Sequence, residues 1–262
     1  MSHLIRLIEW YKGLCMKVFI TGGTTGIGWS LAKIYLEEGH QVAICGRDLS
    51  KVESGANEKY KNLTCYKVDV TNRDEVLAAI DDFSKGELDL LVASAGRSVG
   101  SKTRTPNFEA ARDVININVL GVLNSFEGAL KNMLPNKRGH IAAIASVAGM
   151  VGLPGASSYS ASKAAVLKLC ESFSMDLHSE NIKVSCIAPG FIDTPLTQKN
   201  DHSMPWLMSS EKAARKIKKA LDRKLPLFVF PWQMKTVMFI LERLPRWMYR
   251  FFMQLPFANY SK

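Results

Sequence analysis

"KVFITGGTTGIGWSLAKIYLEEG", residues 17–39, contains three kinds of sequence in one unbroken run. KVFIT is short, apolar and partly β-branched, the pattern of a strand with both faces covered. TGGTTGIG then places glycines at 22, 26 and 28, and WSLAKIYLEEG follows with helical spacing and a stop at Gly39. The order is strand, glycine turn, helix.

Reading onward, the same alternation repeats. Short apolar runs occur at 41–45 (QVAIC), 63–69 (LTCYKVD), 88–94 (LDLLVAS), 139–146 (GHIAAIAS), 182–188 (IKVSCIA) and 227–230 (LFVF), separated by longer amphipathic stretches. Repeated β-α units predict an α/β fold, a doubly wound parallel sheet of about seven strands with helices on both faces. A chain of 262 residues with 47% hydrophobic and 22% charged residues is ordinary for one globular domain. Its five cysteines form no CxxC pair, so neither a metal site nor a redox dithiol is expected, and a reduced cytoplasmic setting is the simple reading.

In a strand-turn-helix setting, glycines let the chain turn tightly and let helix N-terminal amides approach a pyrophosphate. A tight turn without a ligand is the competing reading. At the end of the second strand, where an acidic residue would bind the ribose hydroxyls of NAD, stand Cys45 and Gly46 followed by Arg47. A guanidinium there suits a 2′-phosphate and so favours NADP(H) over NAD(H), which stays possible. The plain alternative pairs Arg47 with Asp48. Asp69, ending the third strand, reads equally as an adenine contact and as a turn cap.

YSASK, residues 159–163, sets a tyrosine four residues before a lysine with only small side chains between. In a helix that spacing puts phenol and ammonium on one face. The pair reads as a proton donor beside a cation, the cation drawing the phenol pKa down from about 10.

Together these motifs resemble the short-chain dehydrogenase/reductase family over roughly Lys17 to Val229, which implies a Rossmann fold and hydride transfer with a nicotinamide cofactor. Thr21-Gly22-x-x-x-Gly26-Ile27-Gly28 matches the family's glycine motif, and Tyr159 and Lys163 match its catalytic Tyr-x-x-x-Lys. The resemblance assigns the active-site serine to Ser146, thirteen residues before the tyrosine, and the helix asparagine to Asn118, which would hold a water linked to the lysine. It also implies cofactor contacts at Thr24, Thr25, Asp69, Val70, Ala95, Gly96, Pro189, Gly190, Ile192 and Thr194, besides Gly22, Gly26, Ile27, Gly28, Arg47, Tyr159 and Lys163.

Two departures stand out. Ser94 occupies a place where the family often has asparagine, and Thr25 stands where a basic residue is frequent, leaving NADPH preference to Arg47. In the expected chemistry Tyr159 gives a proton to a carbonyl oxygen, Lys163 holds the nicotinamide ribose, and Ser146 orients the substrate oxygen. Taken singly, each residue has a structural reading: a core tyrosine, a solvated lysine, a turn serine, a packing amide. A nucleotide-binding scaffold or redox sensor without turnover is the alternative function.

Within a substrate loop at about 191–210, the segment 196–210 lacks clean periodicity and carries Met204, Trp206, Leu207 and Met208. It suits a small hydrophobic carbonyl or alcohol substrate, even a lipid-like one, or else simple packing on the domain. Residues 1–16 read as an amphipathic leader before a catalytic domain at 17–231.

The chain's net charge is +10, and from Asp201 onward twelve Lys or Arg face four Asp or Glu. The extension 232–262 is divided by Pro231, Pro245 and Pro256 into short helices rich in aromatics and arginine, each too short to span a bilayer. They read either as peripheral contacts with the inner membrane surface or as core or subunit packing, with nucleic acid the weaker reading. The family resemblance implies a homodimer or homotetramer built through helices around 106–133 and 158–180.

Overall fold

The computed structural model describes residues 15–98, 107–198 and 203–255. Most of the leader and Pro256 lie outside them. The strands in chain order are β1 (Lys17–Thr21), β2 (Gln41–Gly46), β3 (Leu63–Lys67), β4 (Leu90–Ala93), β5 (Gly139–Ile144), β6 (Ile182–Pro189), β7 (Ile192–Asp193), β8 (Met208–Ser209) and β9 (Leu227–Phe230). Seven of them form one sheet in the order β3-β2-β1-β4-β5-β6-β9, and every pairing is parallel. The order reverses at β1, which pairs with β2 on one side and β4 on the other. Such a switch point opens a crevice at the carboxyl ends of the strands. The remaining two, β7 and β8, make a small parallel ladder too short to register as a sequence pattern.

Helices α1 (Gly26–Glu37), α2 (Ala56–Lys59) and α3 (Arg73–Ser84) connect the first four strands. The helix expected around 106–133 is divided. It begins as α4 (Phe108–Ile115), widens to a π-helical segment at Asn116–Leu120 and continues as α5 (Gly121–Met133). Asn118 sits within that widened turn. Helix α6 (Ser157–Asp176) leads into β6, and α7 (Ser210–Asp222) leads into β9.

The two-residue period of β1 sends its side chains into separate cores. Phe19 joins a cluster with α3, α5 and α6, through residues such as Ile80, Phe126 and Val166. Val18 and Ile20 join the opposite cluster, with Leu31 and Tyr35 of α1 and Ile217 of α7. Both faces of the sheet are therefore covered, which is why its strands read as near-continuous apolar runs. Each such side chain contributes about 1.5–3 kcal/mol when fully buried.

Two helices follow β9: α8 (Trp232–Arg243) and α9 (Arg246–Gln254). Met234, Met238, Tyr249 and Met253 are buried in a third cluster with Val147 and Val151 from the loop after β5. The pairs 234/238 and 249/253 are each four apart, so one stripe of each helix faces the body of the protein. Among the described residues, no helix is long and apolar enough to cross a membrane.

Candidate active site

The glycine turn after β1 lies against the turn after β4. Gly22 has φ +64°, and a Cβ there would stand 2.5 Å from the Ala95 Cα. A Cβ on Gly28 would collide with the Gly22 carbonyl oxygen. Both side chains are excluded by sterics, which brings the start of α1 onto the turn. Thr25 caps α1 with extended backbone, its side chain makes no bond to the cap amides, and no acidic residue sits in the first turn. Open amides at the positive end of a helix dipole fit a pyrophosphate. Ile27 packs partly buried against the adjoining core, and buried Thr24 touches Gly46 at the end of β2.

Next to this cradle, Arg47 is exposed, and no hydrogen bond or ion pair engages it among the described residues. Asp48 is occupied elsewhere. It accepts from the Ser50 N–H at 3.0 Å and hydroxyl at 2.6 Å, and lies 3.5 Å from the Lys51 ammonium. The plain pairing of Arg47 with Asp48 is thus not formed. Asp69 accepts from both the N–H and the hydroxyl of Thr71, at 3.0 and 2.8 Å. Of its two readings, the turn cap is the one built from protein contacts. Val70 is buried, and its carbonyl accepts from Asn124 at 2.9 Å.

Beyond β6 the chain crosses back toward the glycine turn. Gly190, after Pro189, donates its N–H to the Phe230 carbonyl at 2.7 Å, while Ile192 is buried in the small ladder. Thr194 then sets its methyl 3.1 Å from where a Cβ on Gly26 would be, so the two ends of the crevice meet there. Its own N–H donates to the Thr197 hydroxyl at 3.0 Å.

On the other side of the crevice stand Ser146, Tyr159 and Lys163. Ser146 follows β5 in extended backbone, and its hydroxyl accepts from the Ala148 N–H at 3.1 Å. Tyr159 lies in the first turn of α6 and Lys163 one turn later. The Lys163 ammonium is 5.8 Å from the Tyr159 ring centroid, is buried, and donates to the Ile144 carbonyl at 2.8 Å. Burial lowers its pKa to about 8, against the opposing pull of Cys186 and Cys170.

The phenol behaves differently from the sequence expectation. Burial raises the Tyr159 pKa, and a hydrogen bond with Ser146 only partly opposes this. Lys163 does not draw it down because the ammonium lies over the ring with its hydrogen bond directed at Ile144. The neutral phenol, a proton donor, is the favoured form.

Asn118 is fully buried and hydrogen-bonded to protein groups at both ends of its carboxamide. Its carboxamide oxygen accepts from the Arg97 N–H at 2.8 Å, and its nitrogen donates to the Arg97 carbonyl and the Ser162 hydroxyl, both at 2.9 Å. Ser162 in turn donates to the Tyr159 carbonyl at 2.7 Å. These bonds tie the turn after β4 to α6. Gly96 lies in that turn, and a Cβ there would stand 3.6 Å from the Lys163 ammonium. Ser94 makes its tie through backbone, donating its N–H to the Thr21 carbonyl at 3.1 Å. Ser162 and Arg97 escape a reading of the sequence, where Ser162 is only a small spacer in YSASK.

The family model described as short chain dehydrogenase matches residues 16–205. An uncharacterized oxidoreductase of Myxococcus xanthus (strain DK1622) is 34% identical over 220 residues, covering 82% of this chain and 87% of that one. One from Staphylococcus aureus (strain MW2) is 34% identical over 181 residues, 68% of this chain and 78% of its own. Among solved structures, a short chain dehydrogenase from Burkholderia cenocepacia J2315 in complex with NADP shares the fold, with TM-score 0.80 at 23% identity, covering 92% of this chain and 98% of its own. ElxO with NADP bound aligns with TM-score 0.72 at 29% identity over 82% of this chain and 96% of its own. With its seven-stranded parallel sheet, glycine turn and YSASK helix in the matching order, this chain belongs to the short-chain dehydrogenase/reductase family of NAD(P)-dependent oxidoreductases.

Proposed function

We propose that this protein is an NADPH-dependent oxidoreductase that interconverts a carbonyl and a secondary alcohol on a small hydrophobic substrate. The observation that carries the cofactor reading is Arg47, exposed and unpaired among the described residues at the end of β2, while its neighbour Asp48 is held by Ser50 and Lys51. A guanidinium in that place is a ready partner for a 2′-phosphate. The NADP bound to ElxO supports the same choice.

When bound, the cofactor supplies the hydride. Gly22, Gly26, Ile27 and Gly28, with Thr24 and Thr25, would seat the pyrophosphate on the α1 N-terminus, and Val70, Ala95 and Gly96 would line the adenosine side. Pro189, Gly190, Ile192 and Thr194 would close over the nicotinamide side. Tyr159 gives its phenolic proton to the substrate oxygen, a transfer for which a raised pKa keeps the proton in place beforehand. Ser146 orients that oxygen and stabilises its developing charge. Lys163 holds the ribose and steadies the Tyr159 ring, while Asn118 positions Lys163 through the turn after β4.

The hydrophobic substrate reading rests on Trp206 and Leu207, which are exposed just before β8, the strand paired with β7. A homodimer or homotetramer through α4 to α6 is supported by exposed Phe108, Leu120 and Met175. Contact with a membrane surface through α8 and α9 is supported by exposed Trp232, Phe239, Trp247 and Phe251 among arginines.

Fluorescence titration with NADPH and, separately, NADH tests the central reading. Tighter NADPH binding is expected, followed by oxidation of NADPH with apolar ketones. Tighter NADH binding overturns the cofactor choice, and binding of neither overturns the enzyme reading.

A further inference from the structure

A cleft separate from the catalytic groups lies between the loop at 149–154, the outer face of α6 and helix α9. Its volume is about 660 Å³, and Ser146, Tyr159 and Lys163 do not line it. That size falls in the range of small-molecule sites. Met150, Val151, Leu153 and Met253 give it an apolar lining, with Ser157, Ser160 and Gln254 as polar neighbours. Exposed Arg246 and Arg250 line it too, and no carboxylate does among the described residues.

These two arginines are four apart on α9 and so share a face. No ion pair or hydrogen bond engages either one among the described residues; the acidic residue nearest in sequence, Glu242, lies 3.8 Å from Arg243 instead. Like charges at this spacing repel, and no acidic residue sits in the first turn of α9 to offset Arg246 at the positive end of the helix. The cleft is also preformed. The Tyr249 hydroxyl donates to the Gly152 carbonyl, and Tyr249 and Met253 are buried against the loop. A helix fixed in place thus presents two guanidiniums, unpaired among the described residues, beside apolar side chains.

We propose that this cleft binds an anionic amphiphile, one phosphate or carboxylate head held by Arg246 and Arg250 with its hydrocarbon chain on Met150, Val151, Leu153 and Met253. Paired guanidiniums recognise such oxyanion heads through charge-assisted hydrogen bonds. The chain adds affinity by burial in proportion to its apolar area. This site goes beyond the catalytic reading and does not depend on it.

The test is calorimetric titration of the full chain with dodecyl phosphate below its micelle-forming concentration, with inorganic phosphate and with dodecanol. Co-sedimentation with phosphatidylglycerol vesicles distinguishes a bilayer lipid from a free amphiphile as the source. Dodecyl phosphate is expected to bind at one site per chain, and Arg246→Gln/Arg250→Gln to weaken it at least about tenfold. Both side chains are exposed, so the double variant keeps the fold, which circular dichroism checks. Vesicle binding that needs the same arginines assigns the ligand to the bilayer, and vesicle binding that ignores them leaves the free amphiphile as the ligand. Equal binding by the double variant, equal binding of inorganic phosphate, or equal binding of dodecanol each overturns the proposal. Absence of dodecyl phosphate binding overturns it too, and a changed sedimentation mass in the double variant would then make the cleft an interface between copies.

Discussion

Lys163 donates from Nζ to the Ile144 carbonyl at 2.8 Å, fastening the second turn of α6 to the last residue of β5. An ammonium so enclosed is costly in its charged form, and burial brings its pKa from 10.5 to about 8. Because the unfolded chain binds this proton more tightly, it holds more protons than the folded one between about pH 8 and 10.5, and stability rises with pH across that window. The shift corresponds to an effect on the order of 3 kcal/mol. Urea unfolding of wild type and Lys163→Met at pH 7 and pH 10 reads it. The wild type should gain on the variant at the higher pH; a difference that stays flat means that burial does not lower the Lys163 pKa.

Tyr159→Phe removes one hydroxyl while keeping the ring beside Lys163. If the phenol is the acid, turnover should fall by about 10²–10⁴-fold, the range for a positioned proton donor. Binding of NADPH should hold within about twofold, since a proton donor acts on the reacting atoms and not on the ground state. Steady-state kinetics with an apolar ketone, paired with a fluorescence titration, separates the two effects. Undiminished turnover would show that the proton comes from elsewhere.

Arg47→Ala should leave the fold intact because the side chain is exposed and no described residue pairs with it. NADPH affinity is expected to drop about tenfold to a hundredfold, with NADH affinity nearly unchanged, because only NADPH offers the 2′-phosphate. Parallel loss for both cofactors would place Arg47 against the adenine or shared ribose instead.

The sheet was legible in KVFITGG and the six runs after it because strands covered on both faces leave unbroken apolar stretches, and glycine and proline mark their ends. Ser146, Tyr159 and Lys163 could be proposed as a set because the family resemblance ties them together by order and spacing. What escaped were features that depend on partners distant in sequence. Nothing in Asn116–Leu120 announces a π-helical turn, which arises where Asn118 reaches Arg97 and Ser162. The phenol pKa likewise depends on where the Lys163 ammonium points, and i,i+4 spacing gives the shared face but not the direction. For α8 and α9, the stripes Met234/Met238 and Tyr249/Met253 were the overlooked sign of packing, hidden because so many other positions are aromatic or apolar as well.

Asn118→Ala tests whether the buried amide positions the site. The substitution deletes three hydrogen bonds at a fully buried position and strands the Arg97 N–H, so a loss of about 2–4 kcal/mol is expected in urea unfolding. Ser162→Ala removes one of the same bonds from the other side and also the tie to the Tyr159 carbonyl. Since the two variants share a bond, their effects should not add: the double variant should fall short of the sum by about 0.5–3 kcal/mol. A positioning role further predicts that Asn118→Ala lowers kcat more than it raises KM for the ketone, because Lys163 and Tyr159 lose their alignment while the substrate surface is untouched. Additive losses with unchanged kcat would reduce Asn118 to a packing residue.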